Sequence, residues 1–305
     1  MYLRGSIKAM LKNNKDIKSL IYIVITTSLF LFLWTQGKAM NNGLFTVLYI
    51  WFLFMSISVA VMAHNHNHLP MWKSKIMNIL TDNWLTVFYG FPVFAWIPTH
   101  NANHHKFVNK EPDYTRTWRF TERNNLFTVL TYPSVSGFFQ QSVVMNHFKE
   151  TFSRNKYKFF LYGLQFVVLI SWIAGAFIIG GWEKALIYVV LPQQLSLFSV
   201  LLFNYVQHVH ADEETKYNSS RNFTGILNFL LFNNGLHTIH HIHPTIHWSE
   251  TPQEHAKIEH LIDDSLIESS FWYFLYKSYI LGIFMPKYKT KSMRVARLSS
   301  AAQQQ

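Results

Sequence analysis

The chain has no cysteine among its 305 residues. Disulfide staples, zinc knuckles, iron–sulfur clusters and thiol nucleophiles are therefore excluded, although the absence names no compartment. Charge is scarce too: Asp, Glu, Lys and Arg make up 14% of the residues, while half are apolar and 17% are aromatic. That is too little charge to clothe an ordinary soluble surface of this size, so the composition points to a polytopic membrane protein. Also missing are a repeat at solenoid period, a long low-complexity linker, a glycine-rich phosphate loop and any haem, flavin or nicotinamide fingerprint. Nothing calls for a nucleic-acid partner.

What the chain does have is long uncharged runs. Four of them, 20–36, 43–63, 159–181 and 185–206, fall in the range of roughly 17–25 residues that crosses a hydrocarbon core as a helix. The apolar piece 84–98 is short and broken by Gly90, Pro92 and Pro98, and reads as an interfacial or re-entrant helix; 223–232 reads as a segment on the membrane surface or against the other helices. Lys8, Lys12, Lys15 and Lys18 precede the first run and only Lys38 follows it, which puts the amino terminus in the cytoplasm. The spans then pair as two hairpins with short outer turns at 36–42 and 180–184. The expected architecture is all-α: four transmembrane helices in one domain over 1–285, a cytoplasmic helical cap, and a basic tail over 286–305 whose end, 301–305, is disordered. The first run lacks a small-residue cleavage site and is read as an anchor. The net charge of +11 fits the positive-inside bias, and could also meet anionic membrane lipids, an acidic carrier or an acidic electron donor.

This topology delivers every histidine cluster to one face of the membrane. Sixteen residues are histidine, and imidazole binds iron, zinc, copper or nickel without help from thiolates. His64 and His68 are four apart and share a helix face, with His66 pointing away. His237, His240 and His241 fall within an arc of about 100° on an α-helix and could address a single centre. His100 and His104 share a face, while His105 lies about 100° further round and could reach a second metal. Asn204 and His208 are again four apart at the end of the fourth run, which favours His208 over His210. Asp113 and Asp212 could accept the free ring N–H of a ligand histidine.

The ordered set HxxxH, HxxxHH, NYxQH and HxxHH at His64, His100, Asn204 and His237 resembles the membrane fatty acid desaturase and hydroxylase superfamily. The Asn204-Tyr205-Val206-Gln207-His208 piece is similar to its counterpart in bacterial alkane hydroxylases. The resemblance implies a four-helix membrane stem under a cytoplasmic cap that holds two irons. It makes His64, His68, His100, His104, His105, His208, His237, His240 and His241 iron ligands, with Asn204 acting through a bound water. His66, His210, His243 and His247 are additions to the simplest pattern and receive no role.

The chemistry implied is oxygen-dependent. An unactivated alkyl chain yields to no acid, base or nucleophile, whereas a reduced iron pair with dioxygen can take its hydrogen; zinc has no redox chemistry. The expected function is desaturation of a fatty acyl chain, with electrons from a separate ferredoxin, rubredoxin or cytochrome. Alkyl hydroxylation and decarboxylation to a terminal alkene use the same ligand set. A histidine-rich metal transporter is the rival outside enzymology, but it would carry ionisable ligands near mid-span, and these spans are nearly free of them. The expected location is a bacterial inner membrane, with termini and site on the cytoplasmic side.

Overall fold

The computed structural model, which describes residues 7–304, turns the apolar runs into long helices. Three described stretches are long and apolar enough to cross a membrane: Asn14–Ala39, Asn42–His68 and Lys156–His208. Within the first lies α1 (Ile17–Gln36), followed by a short 3₁₀ turn over Gly37–Ala39. The second is α2 (Asn42–His68), whose N-cap Asn41 accepts from the amide of Leu44 at 2.9 Å. α3 (Lys75–Tyr89) comes next, stopped by Gly90. Gly90 sits at φ 87°, and a Cβ there would lie 2.5 Å from Gln193 Cβ, so both conformation and space demand glycine. α4 (Leu126–Arg154), α5 (Lys156–Ala185) and α6 (Leu191–His208) complete the long helices.

The third stretch is 53 residues long, where two separate runs are expected. It is helical nearly throughout, through a π-helical turn at Leu186–Val190, but Gly181 has φ 71° and ψ 174° and breaks it into two arms. The turn after α1 lies beside this break. Lys38 pairs with Glu183 at 2.8 Å, and Lys184 donates to the carbonyl of Trp34 at 2.7 Å.

Contacts divide the chain into two compact units. The first runs to Ile97 and includes Val144–Val200; the second is Pro98–Val143 with Leu201 onward. In the first unit, helices are joined by polar side chains reaching a neighbour's backbone. Ser196 donates to Ser56 O at 2.8 Å, Gln193 to Val87 O at 2.7 Å, and Gln165 Oε1 accepts from Phe94 N at 3.1 Å. In hydrocarbon, where apolar burial drives no association, such bonds are worth about 0.6–2 kcal/mol each. The segment 84–98 folds here as the second half of α3, a turn and a 3₁₀ helix at Val93–Ala95, with Leu85, Phe88 and Phe94 buried.

The second unit is built from short pieces around an apolar cluster that includes Val129, Tyr205, Val206, Phe223 and Phe274. Its parts include, from Pro98 on, the π-helix Ile97–His104, continued by His105–Phe107, then α7 (His237–Ile242), α8 (Thr251–Ile258) and α9 (Met293–Ala302). A two-residue parallel pairing, β1 (Asn222–Phe223) with β2 (Ile267–Glu268), ties two of its loops. The expected disordered end is helical through Ala302. Ser292 caps α9, and Arg294 and Arg297 anchor it: Arg294 to Glu122 and to Glu213 at 2.9 Å, Arg297 to Asp212 at 2.8 Å and Glu213 at 3.0 Å. Gln305 lies outside the described residues.

Candidate metal centre

Four rings of the second unit point at one place. The Nε2 atom of His208, at the end of α6, lies 3.1 Å from Nε2 of His104, 3.0 Å from that of His237 and 3.1 Å from that of His241. His237 and His241 are one turn apart on α7, with their Nε2 atoms also 3.1 Å apart. His104 and His208 are fully buried.

The hydrogen bonds behind these rings fix their protons. His208 Nδ1 donates to the carbonyl of Ser219 at 3.0 Å, and His104 Nδ1 donates to Asp113 Oδ2 at 2.8 Å. A ring whose Nδ1 carries the hydrogen presents a bare lone pair at Nε2. The two lone pairs of His104 and His208 therefore face each other at 3.1 Å, an arrangement that repels unless a cation lies between them. An all-imidazole set around that point suits a divalent transition metal, so the residues fit the group that the histidine pattern implies. Burial, then the surrounding histidines, pushes His241 well below the ordinary histidine range. It is held neutral, the form a metal needs.

Asp113 is wholly buried and saturated with donors. Its Oδ2 also accepts from Asn109 N at 2.8 Å, and its Oδ1 accepts from Thr115 N at 2.7 Å and Thr115 Oγ1 at 2.8 Å. Burial pushes this carboxyl up, but His104 and Thr115 outweigh it and hold the group well below the usual carboxylate range. Thr115 escapes a reading of the sequence, although the Asp-x-Thr spacing is the signature of a turn closed by an Asp side chain. The Ser219 carbonyl leaves no side-chain signal at all. Asp212, the other expected acceptor, bonds Arg297 instead.

A second set forms beside the first. The ligand nitrogens of His100, His105 and His240 lie within 4.8 Å of one another, with the Nε2 atoms of His100 and His105 3.0 Å apart. The rings do not group as α-helical spacing predicts. On an α-helix His100 would share a face with His104, but Ile97–His104 is a π-helix, whose i to i+5 bonding brings residues five apart together. His100 thus meets His105, while His104 joins the other set. The α7 box divides as well: His237 and His241 go to one set and His240 to the other, so the three do not address one centre.

In the first unit, His64 and His68 share a face of α2, as their spacing predicts, with ring centroids 4.8 Å apart. His66 is buried and its Nδ1 accepts from Met71 N at 3.3 Å. Asn204 donates to Tyr132 OH at 2.7 Å. His210 bonds the carbonyl of Glu122 at 2.7 Å and Thr290 Oγ1 at 2.8 Å, well engaged away from the nest. His247 bonds Ser249 Oγ at 2.8 Å.

No curated protein and no solved structure matches this chain significantly. The sequence profile described as fatty acid desaturase matches residues 40–272, from the start of the second apolar stretch to beyond the last histidine box. With that match over well more than half its length, the protein belongs to the fatty acid desaturase family.

Proposed function

We propose that the chain is an oxygen-dependent fatty acyl desaturase, nine of whose sixteen histidines hold two irons. One iron is assigned to His104, His208, His237 and His241. The other is assigned to His100, His105 and His240, to which the sequence reading adds His64 and His68. Asn204, its amide nitrogen committed to Tyr132, would act through its carbonyl oxygen on a bound water. The observation that carries the reading is the pair of opposed lone pairs on His104 and His208, in a member of a family of membrane oxidoreductases.

When bound, an iron pair supplies what no side chain can, the activation of dioxygen against an unactivated C–H bond. The protein's own part is orientation. Asp113 and the Ser219 carbonyl hold the protons of His104 and His208 on Nδ1, so both rings keep the ligating tautomer and cannot rotate without breaking a buried bond. Forming the double bond takes two electrons and two protons from the alkyl chain. Reducing dioxygen to two waters takes two electrons more, supplied by a separate ferredoxin, rubredoxin or cytochrome, and two protons more, taken from solvent.

We also propose that Lys156–His208 crosses the bilayer twice. At 1.5 Å per residue a straight helix of 53 residues would be about 80 Å long, more than twice a hydrocarbon core of about 30 Å. The break at Gly181 is where the chain would turn. With the lysine-rich segment before α1 cytoplasmic, the site faces the cytoplasm.

The test is a reconstitution with iron, oxygen, a reductase system and a panel of acyl substrates, read by mass spectrometry. Loss of two hydrogens is expected. Gain of one oxygen or loss of carbon dioxide would replace desaturation by hydroxylation or decarboxylation. Absence of any product from protein that binds zinc in preference to iron would end the oxygenase reading.

A further inference from the structure

The second unit carries a helix that is apolar on every side and yet lies at its surface. The run 271–284 is continuously helical, through Phe271–Leu275, a π turn at Tyr276–Leu281 and Gly282–Phe284. Its inner side buries Phe271, Phe274 and Tyr279. Its outer side exposes Trp272, Tyr273, Tyr276, Ile280, Ile283 and Phe284, at the spacing of three and four that marks one helix face. Phe284 is 76% exposed and Trp272 64%. Lys277, the one charge in the run, is turned to Glu268 at 2.8 Å. A helix hydrophobic all round belongs in a core or in lipid, and the outer half of this one lies outside the core.

A second segment widens the patch. Ile226 is 75% exposed and Phe229 58%. A cavity of about 150 Å³ opens between Ile226 and Trp272, walled by Phe203, Leu227, Phe223 and Phe271. Contiguous apolar surface of this extent does not stay in water on a soluble domain.

We infer that this face, Ile226 and Phe229 with the outer side of 271–284, is inserted into the lipid monolayer, the helix lying in the membrane plane and hydrocarbon filling the mouth of the cavity. Three observations choose lipid over a protein partner. The helix has fourteen residues, about 21 Å, too short to cross a core of about 30 Å but the right length to lie along it. Its exposed residues are led by Trp and Tyr, which favour the headgroup boundary. Lys287, Lys289 and Lys291 follow at once, a basic stretch suited to anionic headgroups.

The absence of cysteine makes the test clean. Single cysteines are placed by Ile226→Cys, Tyr276→Cys and Phe284→Cys, with Gln253→Cys on exposed α8 as the aqueous control. Each is spin-labelled in the full chain within vesicles of phosphatidylethanolamine and phosphatidylglycerol, and collision with oxygen is compared with collision with a water-soluble nickel complex. The three test sites should favour oxygen, at a depth of about 5–10 Å, and Gln253→Cys should favour nickel. Nickel access at the test sites equal to that of Gln253→Cys would overturn the inference. So would spin–spin broadening between chains at 276 and 284, which would assign the face to a second copy.

Discussion

The histidine boxes at 100–105 and 237–241 both end in an adjacent His-His pair, but one is wound mainly as a π-helix and the other as an α-helix. In both, the adjacent pair is split: His104 and His241 serve one set, His105 and His240 the other. Neighbouring residues on a helix point about 100° apart, so a His-His pair is suited to serving two centres rather than doubling the ligands of one. The remaining histidine of each box shows what the winding adds. His237 reaches its partner His241 four residues on, at 3.1 Å, whereas His100 reaches His105 five residues on, at 3.0 Å. The period of the backbone selects which rings come together.

The largest effect should come from removing the ring that both boxes surround. His208→Ala takes away the nitrogen 3.0–3.1 Å from three others. Iron bound to the purified protein should fall by about one ion per chain, and turnover by more than the 10–100-fold usual for loss of an outer-shell partner. His210→Ala, two residues away, should leave iron content unchanged and cost about 1 kcal/mol for each of its hydrogen bonds. Equal iron loss in the two variants would refute the assignment.

The spacing that the π turn accommodates can itself be broken. Inserting one alanine after Ala102 puts His105 six residues from His100, about 120° away from its face on an α-helix and out of reach of its partner. Helical circular dichroism should persist while iron content drops; a variant that loads normally would show that the π turn does not set the pairing. A smaller effect is expected from Asp113→Asn, which can hold the His104 ring but no longer enforces a proton on its Nδ1. Metal affinity should fall by about 10–100-fold, as read by competition with a chelator, with the folded state retained.

Much of this was legible in the chain. The i, i+4 pairs His64–His68 and His237–His241 follow from α-helical spacing alone, and the long apolar stretches follow from composition. His100 with His105 was not legible, because an extra residue in a helical turn is tolerated where surrounding packing compensates for it, and no local propensity announces it. The helix 271–284 was hidden for the opposite reason. With apolar residues on both sides it has no polar face to give it a period, and it is too short to register as a span. The role of Ser219 rests on a carbonyl, which every residue has.

The pinning of α9 sets an order of events in time. Arg294 and Arg297 hold Glu122, Asp212 and Glu213, on the segments just after Thr115 and His208, and Met293 N donates to His210 O at 3.1 Å. These residues leave the ribosome after every histidine of the nest. The segments that follow Thr115 and His208 therefore receive this clamp last, and a metal held by the proposed set should be locked in place only once the arginine helix has docked.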